Sequence, residues 1–134
     1  MITGSCLCGE IRYRIEGEIR EGVSGCHCGQ CRKVTGHFSA AAPVPWDAIS
    51  VEGTPRWYDS TPGKARRGFC ATCGSYLFWE QFDGIVYVSA GSMDAPTGLR
   101  LERHIFYADK GDYYRCDDGA PCYVDWETGE EIVP

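Results

Sequence analysis

Gly4-Ser5-Cys6-Leu7-Cys8-Gly9 and Phe69-Cys70-Ala71-Thr72-Cys73-Gly74-Ser75 are the two stretches on which the fold turns. Each holds a close pair of cysteines followed by glycine. A C-x-x-C loop folds back so that two thiolates converge on one ion, and a bent C-x-C loop achieves the same; the following glycine permits the positive φ that such a turn needs. Two pairs complete a closed, tetrahedral four-thiolate zinc site, which leaves no open position and therefore reads as structural. Joining Cys6 and Cys8 to Cys70 and Cys73 ties the N-terminal strand to the middle of the chain, a staple that a small β domain otherwise lacks.

Working outward, the pattern predicts strands. Ile11, Tyr13 and Ile15 alternate with Arg12, Arg14 and Glu16, the period of a half-buried strand. Further strands are expected at 37–44, 49–52, 56–59, 66–69, 76–80, 85–89 and 103–107, punctuated by Gly, Pro, Asp and Ser. Phe82-Asp83-Gly84 between two apolar runs signals a hairpin. Helix is scarce: a short turn over 28–34 ending at Gly36, and a single turn over 45–49. The expected fold is mainly β, several short coiled antiparallel sheets stapled by zinc, with an aromatic and acidic tail (Tyr113, Tyr114, Tyr123, Trp126) covering one end of a sheet. The chain reads as one zinc-binding domain over residues 1–134.

A third cluster, Cys26-His27-Cys28-Gly29-Gln30-Cys31, offers three thiolates within six residues. Three protein ligands with a vacant fourth position is the arrangement of a catalytic zinc; a labile metal site or a redox pair such as Cys28/Cys31 uses the same residues. Neighbouring side chains point in different directions, so His27 is not expected to ligate an ion held by Cys26 and Cys28. Cys116 and Cys122 lack ligand spacing and read as ordinary small side chains.

The remaining composition narrows the classes. Charged residues sum to −6, which disfavours nucleic-acid backbones. The basic cluster Lys64, Arg66, Arg67 reads as a solvated strand face or a local anion site. No run is long and apolar enough for a membrane helix, and no basic-then-apolar leader opens the chain, so the cytoplasm is the expected compartment. There, an odd set of nine cysteines favours metal ligands and free thiols over disulfides. Sheet edges leave room for a homodimer.

The ordered clusters resemble the glutathione-dependent formaldehyde-activating enzyme family, which includes centromere protein V-like members. The stretches quoted above, Arg32, and the later Arg103-His104-Ile105-Phe106, Asp109-Lys110 and Asp118-Gly119-Ala120-Pro121 carry the resemblance. It implies a mostly β fold, a structural zinc on Cys6, Cys8, Cys70 and Cys73, and a second zinc on Cys26, Cys28 and Cys31. The implied activity is a carbon–sulfur lyase reaction, joining glutathione and formaldehyde as S-hydroxymethylglutathione. Cys116, Cys122 and Tyr113-Tyr114 depart from the family's C-terminal pattern.

Three functions are compatible with these residues. The first is an enzyme in which zinc at Cys26, Cys28 and Cys31 activates a small thiol such as glutathione toward a small aldehyde, with Arg32 and Lys33 either meeting its carboxylates or forming a solvated helix face. The second is a non-catalytic zinc- or glutathione-binding module, and the third an interaction domain that uses zinc only to fold. His104 and His37 read as hydrogen-bonded structural residues, and Phe38, Trp46, Phe69 and Phe78 as core more than pocket wall.

Overall fold

Ile11, Tyr13 and Ile15 are 1–2% exposed while Arg12 and Arg14 face solvent, so the alternation in sequence is realised as a strand with one dry and one wet face. The computed structural model describes residues 1–134. In it this strand, β2 (Arg12–Ile15), lies between β1 (Ile2–Ser5) and β5 (Ile49–Glu52) in a three-stranded antiparallel sheet.

The other strands form one seven-stranded sheet. They are β3 (Val23–Cys26), β4 (Ser39–Pro45), β6 (Arg56–Thr61), β7 (Ala65–Phe69), β8 (Tyr76–Glu80), β9 (Ile85–Ser89) and β10 (Leu101–Ile105). Their order is β10-β3-β4-β9-β8-β7-β6, and each pair is antiparallel except β10 with β3, which is parallel. The mainly β architecture expected from sequence is therefore present, as two sheets with a single helix, α1 (Gly29–Thr35). That helix ends on Gly36 in the left-handed conformation, φ 84°, whose N–H returns to the Arg32 carbonyl. A 3-10 turn over Trp46–Ala48 and the β8–β9 hairpin also fall where expected.

Two strands escaped the sequence pattern. β1 (Ile-Thr-Gly-Ser) and β3 (Val-Ser-Gly-Cys) are too short and too rich in small residues to show alternation. Their glycines serve close approaches instead. A Cβ on Gly4 would collide with the Tyr13 ring, and one on Gly25 would sit 2.9 Å from Nδ1 of His104 and 3.2 Å from Phe38.

The core lies between the sheets. Ala42 and Val44 of β4, Val86 and Val88 of β9, and Phe78 of β8, all at 0–1% exposure, pack with Ile11, Tyr13, Ile15 and Ile49 of the smaller sheet. Tyr13 meets Phe78 edge-on with centroids 5.9 Å apart. Alternation sends the other residues of the same strands outward: Ser39 and Ala41, Tyr87, Trp79, and Ala65 and Arg67 line a cavity on the far face of the larger sheet.

The basic cluster does not form a solvated face. β7 is an interior strand, so Arg67 is 5% exposed, and Arg66 stacks 3.9 Å over the Trp57 ring while pairing with the buried carboxylate of Glu80. Glu80 also accepts a 2.5 Å hydrogen bond from the Trp46 indole N–H. Only Lys64, in the β6–β7 turn, is fully exposed. No helix is long and apolar enough to cross a membrane.

Candidate functional site

Cys6 and Cys70 are built alike. The N–H of Cys6 donates to the Ile11 carbonyl and that of Cys70 to the Ser75 carbonyl, each at 3.0 Å, closing two matching loops. The glycines after the second cysteines, Gly9 and Gly74, both take φ 79°, as the spacing requires. The loops meet face to face. The sulfur of Cys8 lies 3.6 Å from that of Cys6 and 3.8 Å from that of Cys70, and the ligand atoms of Cys6, Cys8, Cys70 and Cys73 all lie within 4.8 Å of one another. Four sulfurs at about 2.3 Å from a zinc ion form a tetrahedron with edges of about 3.8 Å, so the set fits that ion without rearrangement. Cys6 and Cys70 belong to the hydrophobic core, at 3% and 1% exposure, which joins this centre directly to the packing of both sheets. Ser75 supports it from outside: its hydroxyl accepts from the Leu7 N–H at 2.9 Å and lies 3.2 Å from the Cys73 sulfur, lowering that thiol to about 5.

The second set is formed where β3 gives way to α1. Cys26 is the last residue of the strand, Cys28 caps the helix, and Cys31 sits in its first turn. The reversal brings the three sulfurs within 4.8 Å of one another. Cys28 accepts a hydrogen bond from the Cys31 N–H at 3.3 Å, the role an oxygen usually takes at an N-cap. Hydrogen bonds from Cys26 and then Cys31 lower the Cys28 thiol, while Cys26, donating toward Cys28, is pushed up. Charge in the trio therefore gathers first on Cys28. The Arg67 guanidinium reinforces it, with Nη1 and Nη2 each 3.8 Å from the Cys31 sulfur. Nη1 also donates to the Tyr76 hydroxyl at 2.9 Å and Nη2 to Gln30 Oε1 at 3.1 Å, whereas Nε is buried without a partner.

His27 faces away from this trio. It is fully buried against Phe38, His104, Tyr107 and Tyr114, on the side of the chain opposite the cavity that Cys26 and Cys28 line. There it belongs to a hydrogen-bonded chain. His27 Nδ1 is 2.5 Å from the Tyr114 hydroxyl, His27 Nε2 is 2.9 Å from His104 Nδ1, and His104 Nε2 is 2.9 Å from Asp118 Oδ2. The carboxylate can only accept, so His104 donates to Asp118 from Nε2, while the tautomers of the two rings set the direction of the His27–His104 and His27–Tyr114 bonds. Burial, with the repulsion of His104, lowers His27 to about 3 and keeps it neutral. Burial is the largest single influence and would raise Asp118, but the combined pull of the His104 ring and of the Ala120 and Asp118 N–H groups outweighs it and leaves that carboxyl below its usual range.

His27, His104 and Cys116 also place their ligand atoms within 4.8 Å, yet all four ring nitrogens are engaged in this chain. Hydrogen bonding, as expected for a strand histidine, accounts for His104. His37 likewise bonds Tyr113, at 2.8 Å. Tyr114 and Asp118 were not legible as partners, because the tail reaches them only by pairing beside β10: the Tyr123 N–H donates to the His104 carbonyl and the His104 N–H to the Pro121 carbonyl, both at 2.9 Å. Cys122 is a buried small side chain beside His104, and the Cys116 N–H donates to the Tyr107 hydroxyl at 2.8 Å. All nine cysteines are free thiols.

Cys26, Cys28 and Cys31 open onto a cavity of about 350 Å³ on the outer face of the seven-stranded sheet. Its floor is made of small residues, Ser24, Ser39, Ala41 and Ala65, and its walls of Trp79, Tyr87, Ile105, Phe106 and Trp126. None of the four aromatics singled out in sequence takes part. Phe78 is core, Trp46 packs against it at 6.0 Å, Phe38 lies tilted against His27 at 4.6 Å, and Phe69 ends β7 outside the cavity. Arg32 is tied to the Asp109 carbonyl at 3.1 Å, and Lys33 is exposed on the helix.

Known proteins resemble this chain in sequence and in fold. Residues 1–109 match the family described as glutathione-dependent formaldehyde-activating enzyme. A protein of Halomonas elongata, whose name makes that same activity a provisional assignment, is 27% identical over 124 residues, covering 84% of this chain and 79% of its own. The crystal structure of a Rhodobacter sphaeroides protein superposes with a TM-score of 0.60 at 22% identity, covering 69% of this chain and 88% of its own, and shares the fold. With a match spanning residues 1–109, from the first cysteine pair through β10, the chain belongs to the glutathione-dependent formaldehyde-activating enzyme family.

Proposed function

We propose that this protein adds a thiol such as glutathione to a small aldehyde, or reverses that addition, at a zinc centre held by Cys26, Cys28 and Cys31. A second zinc on Cys6, Cys8, Cys70 and Cys73 is structural. One observation carries the division of labour: the four-sulfur set supplies all four ligands and roots two of them, Cys6 and Cys70, in the core, whereas the three-sulfur set lines a cavity with room for substrate.

Zinc bound by three thiolates would supply a cation that holds a substrate thiol as its nucleophilic thiolate. The chain's own residues do the rest. Arg67 offsets the negative charge of the trio from 3.8 Å and fixes Gln30 and Tyr76. Because the Tyr76 hydroxyl accepts from Arg67, its own O–H is free to donate, and burial raises it to about 12, so it keeps that proton at neutral pH. In the addition, the sulfur–carbon bond forms as the carbonyl π bond breaks; its electron pair moves to oxygen, which takes up a proton, and nothing is oxidised or reduced. Tyr76, at the cavity wall, is the group placed to supply that proton. Seven cysteines assigned to zinc and none paired in a disulfide suit a reducing compartment, and the cytoplasm is the proposed setting.

The test is to follow adduct formation from glutathione and formaldehyde with zinc-loaded protein. Acceleration that disappears in Cys28→Ser supports the reading, and a rate equal to the uncatalysed one sinks it.

A further inference from the structure

Formaldehyde leaves most of the cavity unexplained. It has two heavy atoms and no apolar surface, while the space beside Cys26, Cys28 and Cys31 measures about 350 Å³, within the range of sites that enclose a ring-bearing ligand. The walls are apolar and aromatic. Trp79 meets Tyr87 edge-on at 5.3 Å, and Phe106 meets Trp126 edge-on at 5.0 Å. Phe106 holds φ 52°, a left-handed conformation that costs a bulky residue free energy and that recurs where a side chain is aimed at a ligand.

The cavity's charge complement excludes the alternative occupant. Apart from the cysteine trio, whose thiolates are committed to the metal, only Arg67 among the lining residues carries a charge, and its Nη atoms already serve Cys31, Gln30 and Tyr76. Glutathione brings two carboxylates and an ammonium group, and no acidic side chain here could meet the ammonium. Burying those groups unpaired is strongly unfavourable. A charged thiol therefore keeps its polar ends outside, with its sulfur at the trio, and the apolar space falls to the other reactant.

Resting on the reading above, and deepening it, we propose that the cavity binds the apolar group of the carbonyl substrate, an aldehyde bearing an aromatic ring or a branched aliphatic chain of similar size. The reaction balances as before, with carbon bound to sulfur and the former carbonyl oxygen protonated. Trp126 lies beyond residue 109, so this wall comes from outside the span matched to the family.

Benzyl alcohol, which has the ring but no carbonyl, tests binding apart from turnover. Titrated into the zinc-loaded protein, it should change tryptophan fluorescence saturably, and Ala41→Phe, which fills the floor, should abolish that change while zinc content and far-UV circular dichroism stay as in the wild type. Trp126→Ala serves if that variant fails to fold, and should weaken binding by about tenfold or more. With glutathione, phenylacetaldehyde should exceed formaldehyde in kcat/KM by about tenfold. No saturable change, or one that survives both variants, overturns the proposal even if formaldehyde turnover is found. Binding lost in Ala41→Phe, with no turnover of either aldehyde, upholds the apolar site and rejects the proposed reaction instead.

Discussion

His27 Nε2 lies 2.9 Å from His104 Nδ1, and both rings are fully buried on the side of β3 that faces away from the cysteine trio. The strand's alternation makes this a mechanical link: any shift of His27 is felt by its neighbours Cys26 and Cys28. The chain from Tyr114 to Asp118 thus anchors the backbone that presents two of the three thiolates.

Gly25→Ala should break that link. The new Cβ would lie 2.9 Å from His104 Nδ1, forcing the ring aside and leaving a buried imidazole nitrogen unpaired. The expected cost is about 1–3 kcal/mol in urea denaturation. A chelator challenge should show the second metal held about tenfold less tightly, and the first unchanged.

Loss of a thiolate should differ between the two centres. Cys70→Ser removes a ligand that is also core, so it should lower metal content by one ion and unfold much of the chain at 25 °C, seen as loss of the near-UV circular dichroism signal. Cys28→Ser, at a half-exposed helix cap, should lose one ion and keep the fold, with any catalytic acceleration falling to background.

Arg66→Met should destabilise the protein by about 3 kcal/mol, because it leaves the Glu80 carboxylate, 4% exposed, with only the Trp46 N–H as a partner. The double variant Arg66→Met with Glu80→Gln should recover part of that loss in the same denaturation experiment, since no charge is then left buried.

Stability should also fall in base. Burial raises the Tyr13 phenol to about 12, against an ordinary value near 10. Between those values the unfolded chain loses this proton and the folded chain keeps it. Unfolding is then favoured progressively as pH rises from 10 to 12, and the contribution is fully present below 10. Tyr13→Phe should flatten that decline, at the cost of the 2.6 Å hydrogen bond to Ser92.

What the sequence determined by itself was local. Two thiols separated by one or two residues can chelate wherever the chain goes, so the three cysteine sets, and the glycines at φ 79° beside two of them, were readable from spacing. Alternation in β2 and the Gly36 stop of α1 depend on the same short range. Tertiary structure decided what depends on distant partners. The interior position of β7 buried Arg67 instead of solvating it, since strand order cannot be read from one strand. The parallel seat of β10 against β3, with the tail paired beside it, brought Asp118 and Tyr114 to the histidines and Trp126 to the cavity. None of those groups is near its partner in sequence; only backbone hydrogen bonds formed after the chain has closed put them in contact.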